Sequence, residues 1–234
     1  MKHLFLFIAL CITLPVFAEE GLIGYWPCDE SEGTTVKDVS GNAYNATGAV
    51  TFAPGKVGGA VKLNGTPAGA LNFKVPTDKQ PGTSSFSVAM WVNPSTLDID
   101  AKEKRRRMFG IDQWPAIYAV VDVNTDGVPN FSIGYKNEDG SKGSSGVSAK
   151  KKIAINAWSH IAVVFDRENM KMKFYINGIV DGEGDIPKDF AGVVATKDRP
   201  LSIGSGWQNF SGLVDEVRFY KKAITADDVA ALSK

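Results

Sequence analysis

The stretch from Trp158 to Val180 constrains this chain more than any other. It begins Trp-Ser-His-Ile-Ala-Val-Val-Phe, rich in aromatic and β-branched residues, and stops at Asp166, the pattern of a buried strand. Lys171 to Ile176 then alternates: Met172, Phe174 and Ile176 fall on one face, and Lys171, Lys173 and Tyr175 on the other. Asn177-Gly178 stands between Ile176 and Ile179, and both residues tolerate the positive φ of a type I′ turn. The spacing predicts a three-stranded antiparallel meander, buried on one face and wet on the other.

The N-terminus carries a different message. Lys2 and His3 precede an apolar run from Leu4 to Leu14, and Val16-Phe17-Ala18 offers acceptable cleavage residues before Glu19-Glu20. Residues 1–18 read as a secretory signal peptide, with a retained anchor as the alternative, and residues 19–234 as one domain. The expected location is secreted: extracellular, periplasmic or on the cell surface, with no membrane span after cleavage. Lys and Arg number 26, and Asp and Glu also 26, a balance that argues against a nucleic-acid or membrane-surface binder. Of two Cys and two His, only Cys28 and His160 lie beyond the leader. Neither an intrachain disulfide nor a Cys/His zinc site can be assembled from them, so the fold must rest on its core.

Along the rest of the chain, short strand patterns alternate with turn chemistry. Asp38-Val39-Ser40-Gly41-Asn42 is a turn. Gly55 to Gly65 runs from a Gly-rich turn into an alternating strand with no phosphate-binding helix behind it. Phe86 to Pro94 alternates. Residues 95–107 read as a polar loop ending in a basic run, and strands are expected near 108–111, 117–123 and 130–135, followed by a loop at 139–152. Only the C-terminus reads as helix, with Thr225 as cap, Asp228 at the third position and Ile224 stapled to Val229. The expected fold is all-β, an antiparallel β-sandwich with a short C-terminal helical turn.

Several segments resemble one known family. Tyr25-Trp26-Pro27-Cys28-Asp29-Glu30, Asp38 to Asn42, Gly55 to Ala60, Phe86 to Val92, Trp158 to Val163, Tyr175 to Gly178 and Gly212 to Tyr220 together resemble the bacterial laminin G-like domains of the concanavalin A-like lectin/glucanase group. The resemblance implies a jelly roll, commonly a binding module and often calcium-bearing. It further implies a structural calcium ion held by Asp215, with oxygens near Asp29 and Gly65.

Each candidate site has a plain structural alternative. The hydrolases of this group carry Glu-x-Asp-x-x-Glu, and retaining hydrolysis needs two carboxyls about 5 to 5.5 Å apart. Here the match is Glu183-Gly184-Asp185-Ile186-Pro187-Lys188, where Lys188 replaces the last carboxylate, so the expectation is a non-enzyme. Asp122 to Gly127 matches half of a calcium loop, although a hairpin turn at Asp126-Gly127 explains it better. The basic run Lys102 to Arg107 would suit an acidic polymer if free, or is simply solvated. Trp26, Trp91 and Trp158 read as core. Trp114 and Trp207 sit in loop contexts and, with Tyr135, Asn209 and Arg107, form the expected ligand-binding set. The expected partner is a glycan or polysaccharide, acidic polymers included. The rival reading is a protein-binding or structural surface module, and the third is a divergent hydrolase.

Overall fold

A computed structural model of the chain describes residues 19–98, 105–113, 117–136, 139–192, 200–204 and 209–234. The N-terminal third supplies β1 (Leu22–Trp26), β2 (Thr35–Val36), β3 (Ala46–Thr47), β4 (Thr51–Pro54), β5 (Gly59–Asn64) and β6 (Leu71–Phe73). Longer strands follow: β7 (Phe86–Pro94), β8 (Arg105–Gln113), β9 (Ile117–Asn124), β10 (Pro129–Lys136) and β11 (Lys142–Ser148). Then come β12 (Ser159–Asp166), β13 (Lys171–Ile176), β14 (Ile179–Asp185), β15 (Ser202–Ile203), β16 (Ser211–Tyr220) and the helix α1 (Ala226–Leu232).

Among the described residues these strands form two antiparallel sheets. The first runs β14-β13-β12-β7-β16-β5-β4, with β1 added to β16, and the second runs β11-β10-β9-β8-β15-β6-β3-β2. The result is the jelly-roll sandwich expected. Inward-facing residues of both sheets make one core, including Trp26, Phe73, Phe131, Phe165, Phe174 and Phe219. Phe86 stacks on Phe165 with centroids 5.0 Å apart, and Trp26 meets Phe73 edge-on at 4.3 Å. Such pairs add about 0.5–1.5 kcal/mol beyond the area they bury. No helix among the described residues is long and apolar enough to cross a membrane.

The central meander forms as its pattern demands, with Ile161 opposite Ile176 and the turn residues Asn177 and Gly178 at φ +50° and +78°. Its outer face departs from the expectation of a wet surface. Tyr175 is 3% exposed, because α1 lies across that face and packs Val229 and Ile224 with Ala89, Ala162, Val164 and Tyr175. The helix itself carries the expected cap: Thr225 Oγ1 accepts from Asp228 N, and the Asp228 carboxylate accepts from Thr225 N.

Two loop expectations are corrected. Lys142–Ser148 is a strand, β11, paired along its whole length with β10. Arg105–Arg107 belong to β8 rather than to the loop before it. Both segments lack strong strand propensity, and the pairing with neighbours distant in sequence overrides it. Trp158 is half-buried just before β12, and Trp91 lies outside the main core on the outer face of the first sheet.

Candidate functional site

The registers of β8 to β11 fix what the second sheet presents outward. Val121, Val123, Phe131, Ile133 and Val147 point into the core, so their alternates face out. Three rows cross this outer face. Arg107, Asp122, Asn130 and Ser148 form the first, and Gly110, Val120, Ser132 and Gly146 the second. Tyr118, Gly134 and Ser144 form the third.

The rows are knitted by hydrogen bonds. Arg105 donates from an Nη to Asn130 Oδ1 at 2.8 Å, and Ser132 Oγ donates to the same oxygen at 2.8 Å. Arg107 Nε donates to Asp122 Oδ1 at 2.5 Å, with both side chains about 5% exposed. A Cβ at 134 would stand 2.3 Å from Cε1 of Tyr118, so a larger residue there would push the ring aside. The half-exposed Tyr118 ring therefore lies across β10. A ring flanked by amide and hydroxyl groups offers an apolar surface with donors and acceptors at its edge. That composition suits a hydroxyl-bearing ligand better than a reactive centre, because Asp122 is committed to Arg107.

The expected ligand-binding set divides. Arg107 and Asn209 do come together, bridged in parallel, and Asn209 Oδ1 is buried without a partner among the described residues. Tyr135 does not join them. It is 3% exposed on the core side of β10, with its ring 5.2 Å from Phe190, because period-two alternation places it with Phe131 and Ile133. Trp114 and Trp207 lie outside the described residues. The basic run also changes character. Arg105 is held by Asn130, Arg106 by the carbonyls of Asn209 and Asp98, and Arg107 by Asp122, while Lys102, Glu103 and Lys104 are outside the described residues. Tyr118, Asn130 and Ser132 were missed in the sequence, though each sits in a readable alternation.

The expected calcium ligands also divide. Asp215 is fully buried, and its Oδ2 accepts from the N–H groups of Lys56 and Val57 at 2.8 and 2.9 Å. Asp29 Oδ1 holds Gly59 N of the same β4–β5 turn at 2.7 Å. Gly65 is elsewhere, at the far end of β5 beside Ser211 and Arg106. Asp215 Oδ1 and Glu30 Oε2 are buried acceptors without hydrogen-bond partners among the described residues. Burial pushes the Asp215 carboxyl up to about 6 against the pull of the two N–H donors. Among the described residues no three acidic, His or Cys side chains are close enough to cage a metal. A hard cation at the Asp215 oxygen would have to draw its remaining ligands from main-chain carbonyls rather than from a carboxylate cage.

Three further candidates take structural roles. Asn124 Oδ1 accepts from Asp126 N and Val128 N, so the Asp122 to Gly127 segment is a hairpin turn. Glu183 and Asp185 sit on an edge strand, where Lys171 Nζ lies 3.6 and 2.7 Å from their carboxylates. His160 is 1% exposed, with its ring 5.3 Å from Trp91, and burial plus the Arg218 charge hold its imidazole down to about 4.

Solved structures share this fold. The binding domain of Paraclostridial Mosquitocidal Protein 1 superposes with a TM-score of 0.70 at 17% identity, over 93% of this chain and 52% of that one. The botulinum neurotoxin serotype G binding domain gives 0.68 at 14%, over 91% and 50%. Thus the chain spans about half the length of these two. Domain 4 of AbnA, a GH43 extracellular arabinanase from Geobacillus stearothermophilus crystallised with arabinotriose, gives 0.64 at 24%, over 91% and 98%. No curated protein matches the chain in sequence. Residues 64–230 match the Laminin_G_3 family model, and the chain belongs to that family of the concanavalin A-like lectin/glucanases superfamily.

Proposed function

We propose that this protein is a secreted, non-catalytic glycan-binding domain whose ligand lies on the outer face of β8 to β11. The observation that carries the reading is the Tyr118 ring laid across Gly134 beside the linked Arg105, Asn130 and Ser132. The C–H face of a sugar ring packs on an aromatic ring, while its hydroxyls exchange hydrogen bonds with amides and hydroxyls. Domain 4 of the arabinanase was solved with arabinotriose, which makes arabino-oligosaccharides the first ligands to try. Laminin G-like architecture and binding-domain neighbours support a binding module over an enzyme. Binding is tested by isothermal titration against a polysaccharide panel, comparing the native protein with Tyr118→Ala. Saturable heat that vanishes in the variant is the expected result, and equal heat in both would place the ligand elsewhere.

A calcium ion at Asp215 Oδ1 is part of the reading. It would tie the β4–β5 turn to β16, away from the ligand face. Its support is the buried, unpartnered carboxylate oxygen. The test is thermal unfolding with calcium and with chelator, since a ion bound only to the native state must raise the midpoint. A protein partner is the second reading. Ile179 and Val180, 61% and 50% exposed at the β13–β14 turn, are the observation that favours it.

A further inference from the structure

A groove of about 380 Å³ lies away from the ligand face, along the segment that crosses from β6 in the second sheet to β7 in the first. Its volume falls in the range of small-molecule sites, roughly 300–1,000 Å³. Four hydroxyls line it, from Thr77, Thr83, Ser84 and Ser85, and each can both donate and accept. Asp78 and Lys221 supply one charge of each sign, while Pro81 and Phe86 supply apolar wall.

The wall is built, not slack. Gln80 is 6% exposed, and its Nε2 donates to Val75 O at 2.8 Å. Ser85 Oγ accepts from Arg167 N at 3.0 Å, and Lys221 Nζ donates to Asp78 O at 2.5 Å. A Cβ on Gly192 would stand 2.6 Å from Thr83 Cγ2, so a second loop braces the segment. One acceptor is left over. Gln80 Oε1 is buried and has no hydrogen-bond partner among the described residues.

We infer that this groove is a second carbohydrate site, taking one or two neutral sugar units. The lining mixes apolar wall with hydroxyls, as a sugar's C–H faces and hydroxyl rim require, and its two charges offset each other, so neither an anion nor a cation is favoured. The site stands independently of the β8–β11 face. None of Arg105, Tyr118, Asn130 and Ser132 lines the groove, which is built on the β6–β7 crossover instead.

The test is titration of the ¹⁵N-labelled protein with arabinose, galactose, glucose and mannose, and with glucuronate as the charged control. Saturable shifts of the Thr77 to Ser85 amides with at least one neutral sugar are expected. Ser84→Tyr places bulk in the groove from an exposed position and should weaken them by about tenfold or more. The amides of β9 to β11 report the other face in the same spectra and should respond alike in both proteins. Absence of saturation at Thr77 to Ser85 with every neutral sugar would overturn the inference. So would shifts indifferent to Ser84→Tyr, or a tighter response to glucuronate.

Discussion

The outer faces of the two sheets are built from the same alternation and end in opposite states. On the first sheet, His160, Trp91 and Asp215 form a row across β12, β7 and β16, and all three are buried. Lys56 caps the Trp91 ring at 4.6 Å. Arg218 stacks on Tyr25 at 3.7 Å while bonding Glu216, and Glu216 accepts from the Tyr25 hydroxyl. Helix α1 covers the rest. On the second sheet, the corresponding rows hold the Arg107–Asp122 pair and Val120, with Ser, Gly and Asn around the half-exposed Tyr118 ring. Among the described residues, aromatic and charged side chains bury the first face, while on the second Asn130, Ser132, Ser144 and Ser148 stay partly or fully exposed beside the buried Arg107–Asp122 pair. On the proposed reading, the sandwich separates stability from recognition by face.

The largest expected effect lies under the open face. Arg107→Met removes the guanidinium from the buried Asp122 carboxylate, and loss of one partner of a buried pair costs about 3–5 kcal/mol. Urea unfolding should show that loss, and adding Asp122→Leu should restore most of it. If Arg107→Met alone is neutral, the pair is not buried as described.

Next come the opposed titrations on the closed face. His160 is held down to about 4, below its unfolded value of about 6.5, so the unfolded chain takes up its proton first. Its contribution is complete above about 6.5 and is lost as pH falls toward 4, by about 3 kcal/mol. Asp215 is pushed up to about 6, so without calcium the native state takes up its proton first. Stability from that group rises as pH falls from about 6 to 4, by about 3 kcal/mol. The two slopes offset between 4 and 6. In chelator, Asp215→Asn should expose the acid loss, and His160→Gln should expose the acid gain. Denaturant midpoints across that window check both, and parallel curves for the two variants would refute the assignment.

Smallest in stability but largest in binding is Tyr118→Ala. It should weaken glycan binding by about tenfold or more, or about 1.4 kcal/mol, and lower stability by less than about 1 kcal/mol. Trp91→Ala on the closed face should do the reverse, leaving affinity unchanged while the unfolding midpoint falls.

What the sequence could say followed the range of its interactions. The 158–180 meander and the Thr225 cap are local patterns, and both were legible. The basic run at Arg105 to Arg107 was not, because its partners Asp122, Asn130 and Asn209 are supplied by other strands. Lys142 to Ser148 has little strand propensity and is a strand because β10 pairs with it. Tyr135 was read as a surface aromatic, although counting in twos from Phe131 turns it inward. The alternations Tyr118-Val120-Asp122 and Asn130-Ser132-Gly134 were visible, but only their register sets Tyr118 beside Gly134. For calcium, Asp29 and Asp215 meet at one turn, and Gly65 is separated from them by the length of β5.

The most direct measurement is amide-shift mapping of the labelled protein with arabino-oligosaccharides and a wider neutral glycan panel. The account predicts saturable shifts centred on Tyr118, Asn130 and Ser132, with α1 and the Trp91–His160 row silent. Shifts centred on the closed face, or none on β9 to β11 with any glycan, would contradict it.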